Sequence, residues 1–444
     1  MFAQHRENLY KVIDNDLAFL KGGVSACWYD TDTDIKFRQE SNFYYLTGCL
    51  EPDYLALFDG SKKEFTLFVP RLGAEHELWC GKVLSIEKQK ELYNPTHIKY
   101  VDEFDQVAAN YKALCHVILD IPQIPNQTLP FEQKNDLHAL LAELRIFKDE
   151  KEVEEMRLSC SINAKAFNYT MGHLKAGMLE CEAEALHAYT YLKNGARFPS
   201  FCSITASGAN SSTLHFVDNS HVIQAGQTFL LDAGCEVRNT CSDHTRTFPV
   251  NEKFTQKQET LYRVVLAANK KGIELAKPGV KWEDVHLGSL RVLLQGLREA
   301  GLVNKNLSED EQHELGIASI FQPHGLGHML GLNTHDVGGY NSEIKKNTSD
   351  VRIKYLRTRR TLQEGMILTI EPGLYFIDGM LEAAKADPNK AKHLNFEVIA
   401  EYRKECGGYR IEDDIYITKT GCEVMPGAVK EVEEIHALRK LAYI

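Results

Sequence analysis

Asp232 closes an apolar run, Thr228-Phe229-Leu230-Leu231, and Asp243 follows Cys241-Ser242 a short way on. A tight hairpin centred near Val237 and Arg238 sets the two carboxylates directly opposite each other, with Cβ atoms about 4.5–5.5 Å apart. Like charges this close repel unless a proton or a cation lies between them. No Asn-Gly pair marks the turn, so the register is open to a one-residue shift or a bulge. Taken alone, the pair also fits two solvated hairpin carboxylates, the commoner fate of aspartate.

Other segments carry the same kind of chemistry. Pro323-His324-Gly325-Leu326-Gly327-His328, with His335 beyond it, is too glycine-rich for a regular helix and suits backbone constrained to aim imidazoles. For any one of these histidines a satisfied structural role is the plain alternative. Met366-Ile367-Leu368-Thr369-Ile370 delivers Glu371 just before Pro372-Gly373. Burying such a charge unpaired costs several kcal/mol or more. Tyr409 to Ile417 alternates, with Ile411, Ile415 and Ile417 on one strand face and Arg410, Glu412 and Asp414 on the other. By itself this is a half-exposed strand with a polar face. Together, four carboxylates and one or two imidazoles at strand ends, turns and loops make a hard, oxygen-rich donor set. It suits two divalent ions, manganese first and cobalt or zinc as alternatives, better than one thiolate zinc.

The elements that must position these groups fall into two parts. Residues 1–148 alternate strands and helices, as in an α/β domain: Tyr54–Phe58, a turn at Asp59-Gly60, Phe65–Val69, and a further strand-like run over His116–Asp120. Residues 149–444 read as α+β. A long helix follows Asp149, with Val153, Met156, Cys160, Ala164, Phe167 and Met171 at helical spacing. A second starts at the capping box Thr255…Gln258 and stops by Pro278-Gly279, and a third carries Trp282, Val285, Leu290, Leu293 and Leu297.

Composition narrows the function. The 444 residues hold 51 Lys plus Arg against 62 Asp plus Glu, a net charge of -11, which argues against nucleic acid or an anionic membrane as partner. The 11 cysteines form no CxxC pair, and no apolar run is long enough to span a bilayer, so a cytoplasmic protein is expected.

At the residues above, the chain resembles the pita-bread metallopeptidases, a family that includes methionine aminopeptidase, aminopeptidase P and prolidase. The family's order Asp, Asp, His, Glu, Glu is matched by Asp232, Asp243, His328, Glu371 and Glu412. The resemblance implies a C-terminal pita-bread catalytic domain behind a smaller N-terminal α/β domain. It implies two divalent ions bridged by Asp243 and Glu412, with Asp232 completing one site and His328 and Glu371 the other. Glu371 is then the general base and acid, His324 and His335 stabilise developing charge, and His215 contacts substrate. Arg410 is expected to bind substrate as well.

Within the family, Tyr355-Leu356-Arg357-Thr358-Arg359-Arg360 resembles the prolidase segment whose arginine holds a substrate's C-terminal carboxylate. Arg357 is the matching position and Arg359 the neighbouring alternative. The stretch Phe376–Gly408 also resembles the dipeptidases. Phe37–Phe43 and Leu78–Lys82 look like the family's non-catalytic domain, which implies a homodimer in which Trp79 reaches the partner's active site. The expected activity is hydrolysis of Xaa-Pro dipeptides. Release of the first residue from longer Xaa-Pro peptides is the alternative, and a catalytically dead binding module is a third reading that the filled ligand positions oppose. Two positions depart from the pattern: Phe201 where relatives commonly carry tyrosine, and His244 where an aliphatic residue is usual.

Overall fold

Two units, Met1–Ile146 and Phe147–Ile444, fold around separate cores in the computed structural model, which describes residues 1–118 and 129–443. In the first unit Leu55–Asp59 and Glu64–Val69 form the expected hairpin, with Leu55 opposite Phe68. They belong to a six-stranded mixed sheet ordered His97–Tyr100, Glu64–Val69, Leu55–Asp59, Leu17–Lys21, Cys115–His116, Gln133–Lys134. Of the strand expected over His116–Asp120, pairing covers Cys115–His116, and residues 119 and 120 lie outside the described residues. Leu17, Phe19, Leu57, Phe68 and Phe104 fill the core. Trp79 sits on the short helix Ala74–Cys80 and is 78% exposed.

In the second unit Asp149 caps the helix Glu150–His173 through a capping box with Glu152, and Val153, Met156, Cys160, Phe167 and Met171 are buried along it. Thr255 and Gln258 cap Gln256–Leu275 in the same reciprocal way, and Trp282–Glu299 is the third long helix. Leu261 and Val265 from one helix and Leu293 from the next meet Phe229, Leu231 and Phe248 of the sheet in one large core. That burial fixes which face of each strand points inward.

Asp243 is not directly opposite Asp232. Thr228–Ala233 pairs with His244–Pro249 so that Thr245 faces Asp232, and Cys235–Val237 pairs with Thr240–Cys241 in the same register. The turn residues are Arg238 and Asn239, both at positive φ, 48° and 63°. Such a two-residue turn excludes β-branched Val237 from its centre, because a branched side chain resists positive φ. The register is therefore two residues from the expectation, and a shift of two keeps Asp232 and Asp243 on one face where a shift of one would separate them. At Gly234 a Cβ would lie 1.9 Å from the Ser242 carbonyl oxygen, so only glycine permits this close approach.

Candidate metal centre

Register alone lines up a row of donors. Asp232 faces Thr245, and Thr245 forms an isolated antiparallel bridge with Glu412. Across the next pair of strands Ile370 faces Asp413 and Gly373 faces Arg410, a continuous register that puts Glu371 opposite Glu412. The glycine-rich segment then runs beside the strand Ile367–Ile370: the Thr369 amide donates to His328 O at 3.0 Å and the Glu371 amide to Leu326 O at 2.7 Å. A Cβ on Gly327 would stand 2.0 Å from Thr369 O, so this backbone contact requires glycine. It turns His328 towards the carboxylates.

The side chains converge accordingly. His328 Nε2 is 3.4 Å from Asp243 Oδ2, 3.7 Å from Glu371 Oε1 and 4.0 Å from Glu412 Oε1. Thr245 donates its hydroxyl to Glu412 Oε2 at 2.7 Å, and Arg410 Nη2 donates to Asp232 Oδ2 at 2.5 Å. Burial pushes the Asp243 carboxyl well above the carboxylate range, reinforced by Glu412 and Asp232. Burial followed by Glu371 and Asp232 does the same to Glu412. The Glu371 carboxyl rises to about 7, mainly through burial, with Arg410 opposing. Asp232 Oδ1 and Asp243 Oδ1 are buried without a hydrogen-bond partner among the described residues. Crowded carboxylates with orphaned oxygens and an imidazole kept neutral, its pKa pushed down to about 3 by burial, are what divalent cations satisfy. The donors present fit such ions.

The surrounding cavity, about 720 Å³, is lined by Asp232, Asp243, His328, Glu371 and Glu412, and also by His215, His324, His335, Arg357 and Arg410. Arg357 is solvent-exposed on this cavity, whereas Arg359 is engaged by Glu283 and, at 2.7 Å, by Lys345 O. His324 has both ring nitrogens occupied. Nδ1 donates to Gly325 O at 2.8 Å, and Nε2 accepts from the Tyr375 hydroxyl at 2.9 Å. Tyr375 in turn accepts from Arg410 Nη1 at 2.8 Å. His335 stands open on the cavity, edge-on to His328 with ring centroids 4.4 Å apart. Arg410 lines the cavity as well but commits its guanidinium to Asp232 and Tyr375. Trp79 belongs to the first unit, on the helix Ala74–Cys80.

Tyr375 and Thr245 were not singled out in the sequence, although a strand period of two from Glu371 through Gly373 reaches Tyr375, and from Asp243 reaches Thr245. Of the two departures, Phe201 lines the cavity, while His244 is fully buried and its Nδ1 accepts from Asn163 Nδ2 at 3.2 Å.

Residues 154–419 match the metallopeptidase family M24, and residues 2–118 match the aminopeptidase P N-terminal domain. The chain belongs to the M24 metallopeptidases, and its enzyme class and use of divalent metal follow. It is 38% identical to the human Xaa-Pro dipeptidase, covering 98% of this chain and 92% of the relative. A probable Xaa-Pro aminopeptidase of Podospora anserina is 35% identical over 95% of this chain and 92% of its own. Among solved structures, the Pseudomonas aeruginosa aminopeptidase PepP superposes with a TM-score of 0.83 at 29% identity, covering 100% of this chain and 98% of that one. Escherichia coli aminopeptidase P with the inhibitor Pro-Leu gives 0.83 at 28% identity, with the same coverage. The α+β, pita-bread expectation for the catalytic part is thereby borne out. No helix among the described residues is long and apolar enough to cross a membrane.

Proposed function

We propose that the chain is a dinuclear metallopeptidase that hydrolyses Xaa-Pro dipeptides in the cytoplasm as a homodimer. The observation that carries this reading is the convergence of Asp232, Asp243, His328, Glu371 and Glu412 in one cavity that also holds an exposed arginine, Arg357. Asp232, Asp243, His328, Glu371 and Glu412 would hold the two ions, manganese for preference. Bound divalent cations supply an acidified water and a polarised carbonyl.

The remaining work belongs to the protein. Glu371, on the cavity beside His328, takes a proton and returns it to the leaving nitrogen. His335, open to the cavity, donates to the developing oxyanion, and His324, kept neutral by burial and by Arg410 and tied to Tyr375 and Gly325, fixes that wall. Arg357 grips the free carboxylate of the dipeptide, and His215 lines the same cavity. The acidity of the chain points to metal ions and small peptides as partners, not nucleic acid. The 38% identity to a dipeptidase supports this choice over the aminopeptidase reading.

The test compares manganese-loaded protein on Gly-Pro and Ala-Pro with a longer Xaa-Pro peptide. Release of proline from the dipeptides is expected to dominate. Stronger turnover of the longer peptide would replace the dipeptidase with an aminopeptidase.

A further inference from the structure

Glu371 and Glu412 sit where the antiparallel pairing between their strands is interrupted. Pairing runs from Ile367 to Ile370 against Asp413 to Tyr416, and resumes at Gly373 and Leu374 against Tyr409 and Arg410. Pro372, in the gap, has no N–H to donate. The carbonyls of Ile370 and Ile411 lead directly into Glu371 and Glu412, and both accept from one buried side chain. Asn269 Nδ2 lies 3.1 Å from Ile370 O and 3.3 Å from Ile411 O.

Asn269 is fully buried within the helix Gln256–Leu275. Asparagine is a poor helix former, since its amide competes for backbone hydrogen bonds, so its presence mid-helix is not explained by the helix itself. Its other end is held too. Lys430 Nζ donates to Asn269 Oδ1 at 3.0 Å and to Asp413 Oδ2 at 2.5 Å. Arg246 completes the frame, its Nη1 donating to Glu412 O at 2.6 Å and its Nη2 to Asp413 Oδ1 at 2.7 Å. The carboxamide is fixed at its oxygen by Lys430 and spends both hydrogens on the peptide units that precede the two glutamates. Asn269, Lys430, Arg246 and Asp413 are not among the residues that line the cavity.

We propose that Asn269, held by Lys430, is a positioning residue that sets the spacing of Glu371 and Glu412 and thereby the metal affinity of the centre. This rests on the metal-centre reading above. Outer-shell partners of metal ligands commonly change affinity 10–100-fold when removed. A residue of merely structural value would lower the stability of the metal-free protein and leave affinity alone.

The experiment titrates full-length protein with manganese(II) in competition with a chromogenic chelator, alongside thermal unfolding of the metal-free form. Asn269→Asp keeps the shape and loses both N–H donors. It is expected to weaken manganese binding roughly 10–100-fold and to lower kcat with little change in Michaelis constant. Asn269→Ser, which retains a shorter donor, is expected to fall between the variant and the wild type. If Asn269→Asp does not fold, Lys430→Met, which frees Oδ1 without touching the two carbonyls, is expected to weaken binding several-fold. Wild-type affinity in a folded Asn269→Asp, or in Lys430→Met where that variant stands in, would overturn the proposal. So would affinity falling only in step with metal-free stability. A wild-type protein that binds no manganese would instead overturn the metal-centre reading itself.

Discussion

Glu371 and Glu412 face each other across adjacent antiparallel strands, because Ile370 pairs with Asp413 and Gly373 with Arg410 in one continuous register. Like charges directly opposed in a sheet are destabilising. Both carboxyls are raised by burial, and each is pushed further by neighbouring carboxylates. The fold therefore stores a repulsion that cations relieve.

Glu412→Gln should accordingly separate stability from function. The amide oxygen still accepts from Thr245, and the opposed charge is gone. Metal-free Glu412→Gln should be more stable than metal-free wild type by roughly 1–3 kcal/mol, yet bind metal far more weakly and show no peptidase activity. Urea unfolding after chelation, beside a manganese titration, checks both halves. For the wild type, chelation alone should lower Tm.

Arg357→Ala should raise the Michaelis constant for dipeptides about 10–100-fold, the scale of a lost charge-assisted hydrogen bond to a carboxylate, with a smaller change in kcat. Arg359→Ala, whose parent side chain is tied to Glu283 and Lys345 O, should leave that constant nearly unchanged. Steady-state kinetics on one dipeptide distinguishes the two.

Gly327→Ala should be severe for a steric reason, its Cβ standing 2.0 Å from Thr369 O. The segment must move, and His328 with it. A loss of about 3 kcal/mol or more in unfolding free energy is expected, together with loss of metal binding. Chemical denaturation and metal analysis report on each.

One buried histidine remote from the centre should take stability away in mild acid. His286 is buried on the helix Trp282–Glu299 with Nε2 donating to Arg352 O at 2.7 Å, and burial pushes its pKa down to about 4. Above pH 6.5 the ring is neutral folded or unfolded and contributes nothing to the pH dependence. Between about 6.5 and 4 the unfolded chain takes a proton that the folded one refuses, so stability declines as pH falls. The loss reaches about 2 kcal/mol at pH 5. In urea titrations of metal-free protein, His286→Gln should lose about 2 kcal/mol less between pH 7 and 5 than the wild type.

Much of this was legible in the sequence for reasons of local physics. Asp149 and Thr255 announce helix starts because a short acceptor side chain satisfies the first free amides, and both are capping boxes in the structure. Glu371 stands out because a charge ending an apolar strand needs a partner. The register between Asp232 and Asp243 was not legible, since it depends on Arg238 and Asn239, rather than Val237, taking positive φ. Thr245, Tyr375 and Asn269 were hidden for another reason: their value lies in contacts with Glu412, Arg410 and Ile370, which only the sheet and the helix against it bring together.

The central claim, that donors from separate strands and one glycine-rich segment form a two-ion centre, is tested most directly by counting metal. Full-length protein dialysed against manganese(II) should hold two ions per chain by elemental analysis, and Asp243→Asn, which removes one of the five proposed ligands, should hold at most one. Fewer than two ions in the wild type, or two retained in Asp243→Asn, would contradict the account.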